Sequence, residues 1–177
     1  MSDRCADTGY PLFVLGGARS GKSRYAQAQV EARGGRLAYI ATAQAFDEEM
    51  QARIACHRGE RDARWTTYEE PIELADAIAA ASVGADAILV DCLTLWLSNL
   101  LLAGRDVAGE GAKLVAAVQA CSVPIALVSN EVGMGIVPEH ALSRLFRDEA
   151  GRLNQRVAQA ARRVVFVAAG LGLALKG

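Results

Sequence analysis

The segment "GGARSGKS" (16–23) follows directly on the apolar run "YPLFVL" (10–15). Gly16, Gly21, Lys22 and Ser23 satisfy G-x-x-x-x-G-K-[ST] without a gap. Such a loop works only between a strand and a helix. Its glycines let backbone N–H groups converge on phosphate oxygens, and the helix that follows points its positive end at the same place. Lys22 would reach the β and γ phosphates, and the Ser23 hydroxyl would ligate Mg²⁺. The chain supplies both flanks. "YPLFVLG" reads as a strand, and "KSRYAQAQVEARG" (22–34) reads as a helix stopped by Gly34 and Gly35. The plain alternative, a glycine-rich turn with a chance lysine, does not require those flanks.

The same alternation continues along the chain. "RLAYIAT" (36–42) is the next expected strand, and "FDEEMQARIACHR" (46–58) carries acids early and bases late, as a helix dipole prefers. "RWTTYE" (64–69) alternates like a short strand, and "PIELADAIAAA" (71–81) opens with a proline at a helix start. "DAILVDC" (86–92) and "VPIALVSN" (123–130) are continuous apolar runs, the mark of strands buried on both faces. A long helix is expected from about 138 to 163, and "VVFVAAG" (164–170) closes the series. The fold class is therefore α/β: a mostly parallel sheet covered by helices, a P-loop NTPase of the RecA-like kind. Residues 1–10 read as a tail and 11–177 as one domain. In such sheets ligands collect at the carboxyl ends of the strands. That rule singles out the Gly16 loop, the stretch from Thr42 to Gln44, Glu69, Asp91, Asn130 and Glu131.

Composition narrows the function. Lys+Arg is 19 and Asp+Glu is 20, so nothing suggests nucleic acid or an anionic membrane surface as partner. The most apolar window, "LTLWLSNLLLA" (93–103), is too short to span a bilayer and reads as a buried helix. Residues 1–11 lack the apolar core of a signal peptide. The four cysteines form no C-x-x-C pair, which suits a reducing cytoplasm and argues against zinc.

Two further positions could carry chemistry. Asp91 ends "AILVD", where an acid can hold the Mg²⁺ shell opposite Ser23 or cap the next helix. His57 lies at the end of an expected helix beside Arg53, Arg58 and Arg61. Neighbouring cations disfavour the imidazolium, so a neutral ring could attack phosphorus while the arginines hold the phosphate oxygens. An ordinary helix-end histidine is the competing account. The other histidine, His140, reads as a solvated residue near a helix start.

"GGARSGKS", "YIATAQAFDEEMQARIACHRGER" and "SNEVGMGIVPEHALSRLFRDEAGRLNQRVA" together resemble the bifunctional adenosylcobinamide kinase/adenosylcobinamide-phosphate guanylyltransferases of cobalamin biosynthesis. The resemblance covers nearly the whole chain after the tail. It implies phosphorylation of adenosylcobinamide with ATP or GTP. It also implies transfer of GMP from GTP to adenosylcobinamide phosphate through a guanylylated histidine, here His57, with release of pyrophosphate. The implied nucleotide contacts are Gly16, Gly17, Ala18, Arg19, Ser20, Gly21, Lys22, Ser23, Ala41, Thr42, Ala43, Arg58, Gly59, Glu60, Arg61, Glu69 and Asp91, with Mg²⁺ on Ser23 and Asp91. A homo-oligomer, a trimer, is implied as well. The helix containing Trp96 either forms that contact or packs on the sheet. Asp91 stands where some members carry glutamate, and 104–113 is shorter than in some relatives and is expected to be a solvated loop. Asn130 and Glu131 could orient the corrinoid side chain, assist the kinase step or hold a subunit contact. A turn between Gly133 and Gly135 ahead of Pro138 explains the segment equally well.

Overall fold

Each apolar run becomes a strand with both faces covered, which is why the runs are continuous instead of alternating. The computed structural model describes residues 9–44 and 62–177. Seven strands form one sheet: β1 (Leu12–Gly16), β2 (Leu37–Ala41), β3 (Trp65–Glu69), β4 (Ala87–Asp91), β5 (Ile125–Asn130), β6 (Arg163–Ala168) and β7 (Leu171–Lys176). Their order is β3-β2-β4-β5-β1-β6-β7. The first six run parallel, and β7 returns antiparallel to β6.

Successive residues of a strand face opposite sides. Leu12, Val14, Leu89, Ala126 and Val128 meet Ala26 and Val30 of α1 (Lys22–Glu31) on one face. Phe13, Leu15, Ile88, Val90, Ile125 and Leu127 face the other way. There they meet α2 (Leu74–Gly84), α3 (Leu93–Leu102), α4 (Val107–Ala120) and α5 (Ala141–Ala160). By this alternation Gly16, Asp91 and Asn130, at the ends of β1, β4 and β5, share the α1 face.

The structure corrects several expectations. Residues 107–113 are not a solvated loop but the start of α4. The Asp106 carboxylate caps that helix by accepting the Ala108 N–H at 3.1 Å. Glu110 is buried and accepts from Arg105 at 2.8 Å and Lys113 at 3.1 Å. The series does not close at residue 170, because β7 follows. The long helix runs from Ala141 to Ala160, shorter at both ends than expected. Its last turn is held by the Lys176 ammonium, which donates to the carbonyls of Ala158 and Gln159 at 3.0 Å and of Ala161 at 2.5 Å. Pro71 precedes α2 instead of opening it, since the Glu70 carboxylate takes the N–H groups of Ile72 and Glu73 in a turn. Trp96 packs inside, 1% exposed, with its indole N–H on the Ile72 carbonyl at 2.7 Å. The expected helix at 46–58 lies outside the described residues.

Candidate active site

The phosphate loop spans the exit from β1 to the start of α1. Gly21 has φ 94° at the N-cap of α1, a left-handed conformation that glycine adopts without strain. Among the described residues no side chain caps α1, and no acid stands in its first turn, so its leading N–H groups face the loop. Lys22 is buried and folds its ammonium onto the Gly17 carbonyl at 3.1 Å. Gly16 has no room for a side chain: a Cβ there would overlap the Val167 carbonyl oxygen and lie 2.5 Å from the Ser20 hydroxyl. The loop is also fastened to the sheet edge, because the Gly170 N–H donates to the Ser20 carbonyl at 2.8 Å.

The neighbouring strand tips border the loop. β5 lies between β1 and β4, so Asn130 stands in register with Gly16 on one side and near Asp91 on the other. The Glu131 N–H bonds the Gly16 carbonyl at 3.0 Å. The Asn130 N–H donates to the Thr94 hydroxyl at 2.7 Å, so α3 holds the tip of β5. Two buried polar atoms here, Ser20 Oγ and Asn130 Oδ1, have no hydrogen-bond partner among the described residues. Buried polar groups left so are costly, and a ligand or its hydration shell at the loop would satisfy them.

Metal chemistry fits the same place. α1 packs across β1, β5 and β4, which brings the helix turn of Ser23 to the sheet face on which Asp91 stands. A hydroxyl and a carboxylate are hard oxygen donors of the kind Mg²⁺ takes, with phosphate oxygens and water filling the remaining positions. The N-cap position of α3 is occupied by Cys92, one residue beyond Asp91. Burial, reinforced by the Asp91 carboxylate, pushes the Cys92 thiol up to about 11, which disfavours the thiolate.

A family model described as "Cobinamide kinase / cobinamide phosphate guanyltransferase" matches residues 12–175. The chain belongs to that family. The bifunctional adenosylcobalamin biosynthesis protein CobP of Pseudomonas aeruginosa is 49% identical over 167 residues, covering 93% of this chain and 96% of its own. The protein named CobU in Salmonella typhimurium is 44% identical, and that of Escherichia coli 42%, each covering 93% of this chain and 99% of its own. Among solved structures, the RadB recombinase aligns with 88% of this chain and 72% of its own, at 16% identity and a TM-score of 0.47.

In this cobinamide kinase/guanyltransferase chain the structure gathers residues 16–23, Ala41, Thr42, Ala43, Glu69 and Asp91 at one end of the sheet. Thr42 is fully buried, and its hydroxyl serves the Cys92 backbone. His57, Arg58, Gly59, Glu60 and Arg61 lie outside the described residues. His140 is exposed at the start of α5, as expected. Thr94, Asn99 and Asn154 belong to no motif in the sequence. Each reaches the strand tips from a helix, and their only sequence signal is a polar residue inside an apolar helical stripe.

Proposed function

We propose that this chain carries out both family reactions on the corrinoid, within one domain from residue 11 to residue 177. The kinase step phosphorylates the side-chain hydroxyl of adenosylcobinamide with ATP or GTP. Residues 16–23 cradle the triphosphate, Lys22 turns from the Gly17 carbonyl to the β and γ oxygens, and the acceptor hydroxyl attacks the γ-phosphorus in line. Ser23 and Asp91 would hold a Mg²⁺ ion, which would supply positive charge against the charge that develops on the transferring group.

The second step passes GMP through the protein. The neutral His57 ring attacks the α-phosphorus of GTP, a P–N bond forms, and pyrophosphate leaves. An oxygen of adenosylcobinamide phosphate then attacks the same phosphorus, which releases His57 and yields adenosylcobinamide-GDP. Arg58 and Arg61 stabilise charge on the nucleotide, and Ala41, Ala43 and Glu69 border it. The observation that carries this reading is the family match over 12–175, joined to a phosphate loop bordered by two buried polar atoms with no partner among the described residues.

We also propose a cytoplasmic homo-oligomer, a trimer. Met134, Ile136, Val137, Leu142 and Leu145 form an exposed apolar run across the loop after β5 and the first turns of α5, a surface suited to a second copy. Light scattering of the wild type and of Leu142→Glu tests it: one-third of the wild-type mass in the variant supports the contact, and a monomeric wild type removes it.

The chemistry is tested with α-labelled GTP and Mg²⁺. Label that survives denaturation, is acid-labile and is absent from His57→Ala supports the transferase. Phosphorylated cobinamide without labelled protein would leave a kinase alone. Nucleotide binding with neither product would leave a switch.

A further inference from the structure

We propose that Asn99 is a positioning residue for the nucleotide site, acting as a buried brace between strand tips. This rests on the reading above that Ala41 to Ala43, Glu69 and Asp91 border the nucleotide. Asn99 sits on α3, the helix that leaves β4 directly behind Asp91, and is 6% exposed. Its side-chain amide has two N–H donors, and each has its own acceptor. One goes to the Thr42 carbonyl at 2.8 Å, the other to the Pro71 carbonyl at 3.1 Å. Those carbonyls lie just past the ends of β2 and β3, where the sheet ladder has stopped supplying partners.

The brace continues through Thr42. The Thr42 hydroxyl donates to the Cys92 carbonyl at 2.7 Å and accepts the Cys92 N–H at 2.9 Å. The Thr42 N–H reaches the Asp91 carbonyl at 3.3 Å, and the Glu70 N–H bonds the Ala41 carbonyl at 2.9 Å. One amide thus fixes the exits of β2 and β3 relative to β4, and with them the backbone that carries Ala41, Ala43, Glu69 and Asp91. The phosphate loop belongs to β1 and is held separately, by Glu131 and Gly170. Asn99 therefore acts on the tips of β2, β3 and β4 beside the triphosphate loop, and not on the loop itself.

Trp96 gives a matched control. It lies one turn earlier on α3 and donates to the Ile72 carbonyl, next to the Pro71 carbonyl that Asn99 holds. Trp96→Phe removes a buried hydrogen bond from the same helix without touching Thr42. The experiment measures the dissociation constant of a fluorescent GTP analogue, the KM for GTP and kcat of guanylyl transfer, and Tm. Asn99→Leu is expected to weaken GTP binding and raise KM at least tenfold, with kcat changed less than threefold. Trp96→Phe is expected to lower Tm while leaving both GTP constants within twofold of wild type. Where Asn99→Leu does not fold, Asn99→Ser, too short to span both carbonyls, is read in the same way. GTP constants at the wild-type level in the Asn99 variant, or a matching rise in Trp96→Phe, overturn the proposal. A wild type that binds GTP but transfers no GMP defeats the functional reading and leaves the binding comparison to judge Asn99. A wild type that binds no guanine nucleotide defeats both.

Discussion

The Lys22 ammonium rests 3.1 Å from the carbonyl of Gly17, five residues back in its own loop. The lysine is thus stored inside the cradle, buried and close to the place where β and γ phosphates would sit. Lys22→Ala removes the charge that meets them. Phosphorylation of adenosylcobinamide should fall by roughly a hundredfold or more, measured as transfer of label from γ-labelled ATP. An unchanged rate would count against the loop as the kinase site.

Gly16 is crowded on two sides, by the Val167 carbonyl and the Ser20 hydroxyl. Gly16→Ala forces the loop away from β6. Overpacking of this kind costs about 1–3 kcal/mol, and each kcal/mol is worth about 2–4 °C of Tm in a chain of this size. Thermal unfolding should show that loss, with nucleotide binding weakened in the same protein.

Glu110 carries the clearest pH signature. Hydrogen bonds from Arg105 and then Lys113 hold its carboxyl below the usual carboxylate range, against the opposing effect of burial. A carboxylate with a lowered folded pKa stabilises the fold above its unfolded pKa, and that stability fades as pH falls through the folded value. Glu110→Gln should therefore cost about 1 kcal/mol at pH 7. The gap from wild type should narrow as pH drops below about 4.3, the ordinary glutamate value. Urea titrations at pH 7 and pH 3.5 check this, and an equal gap at both would contradict it.

Lys176 holds the carbonyl end of α5 from the last strand. Lys176→Met should lower stability by about 1 kcal/mol, a few degrees of Tm, and leave both transfer rates at the wild-type level. A loss of activity at unchanged Tm would contradict a purely capping role.

The strands were legible because burial on both faces writes itself as unbroken apolar runs such as 87–90. The phosphate loop was legible because its chemistry belongs to the backbone, and only glycine at positions such as Gly21 permits that backbone. α4 was hidden by Gly109 and Gly111, residues that lower helix propensity; Gly111 lies against Leu153 and Arg156 of α5, and Gly109 leaves room for the capping Asp106 carboxylate. β7 was hidden because all its residues are exposed at the sheet edge, so burial leaves no pattern to read. Asp91 and Asn130 were found by the rule of strand tips. Asn99 was not, because its partner Thr42 is 57 residues away and neither residue type is unusual in its own element. Contacts of that range exist only once the sheet order is known.

The Ser20–Gly170 hydrogen bond couples the cradle to the turn between β6 and β7. The carboxyl-terminal hairpin is in effect a latch on the loop, though it comes nearly 150 residues later in the chain. Trimming residues 171–177, or fusing a bulky partner behind them, would register first as slackened grip on ATP and only afterwards as a looser sheet.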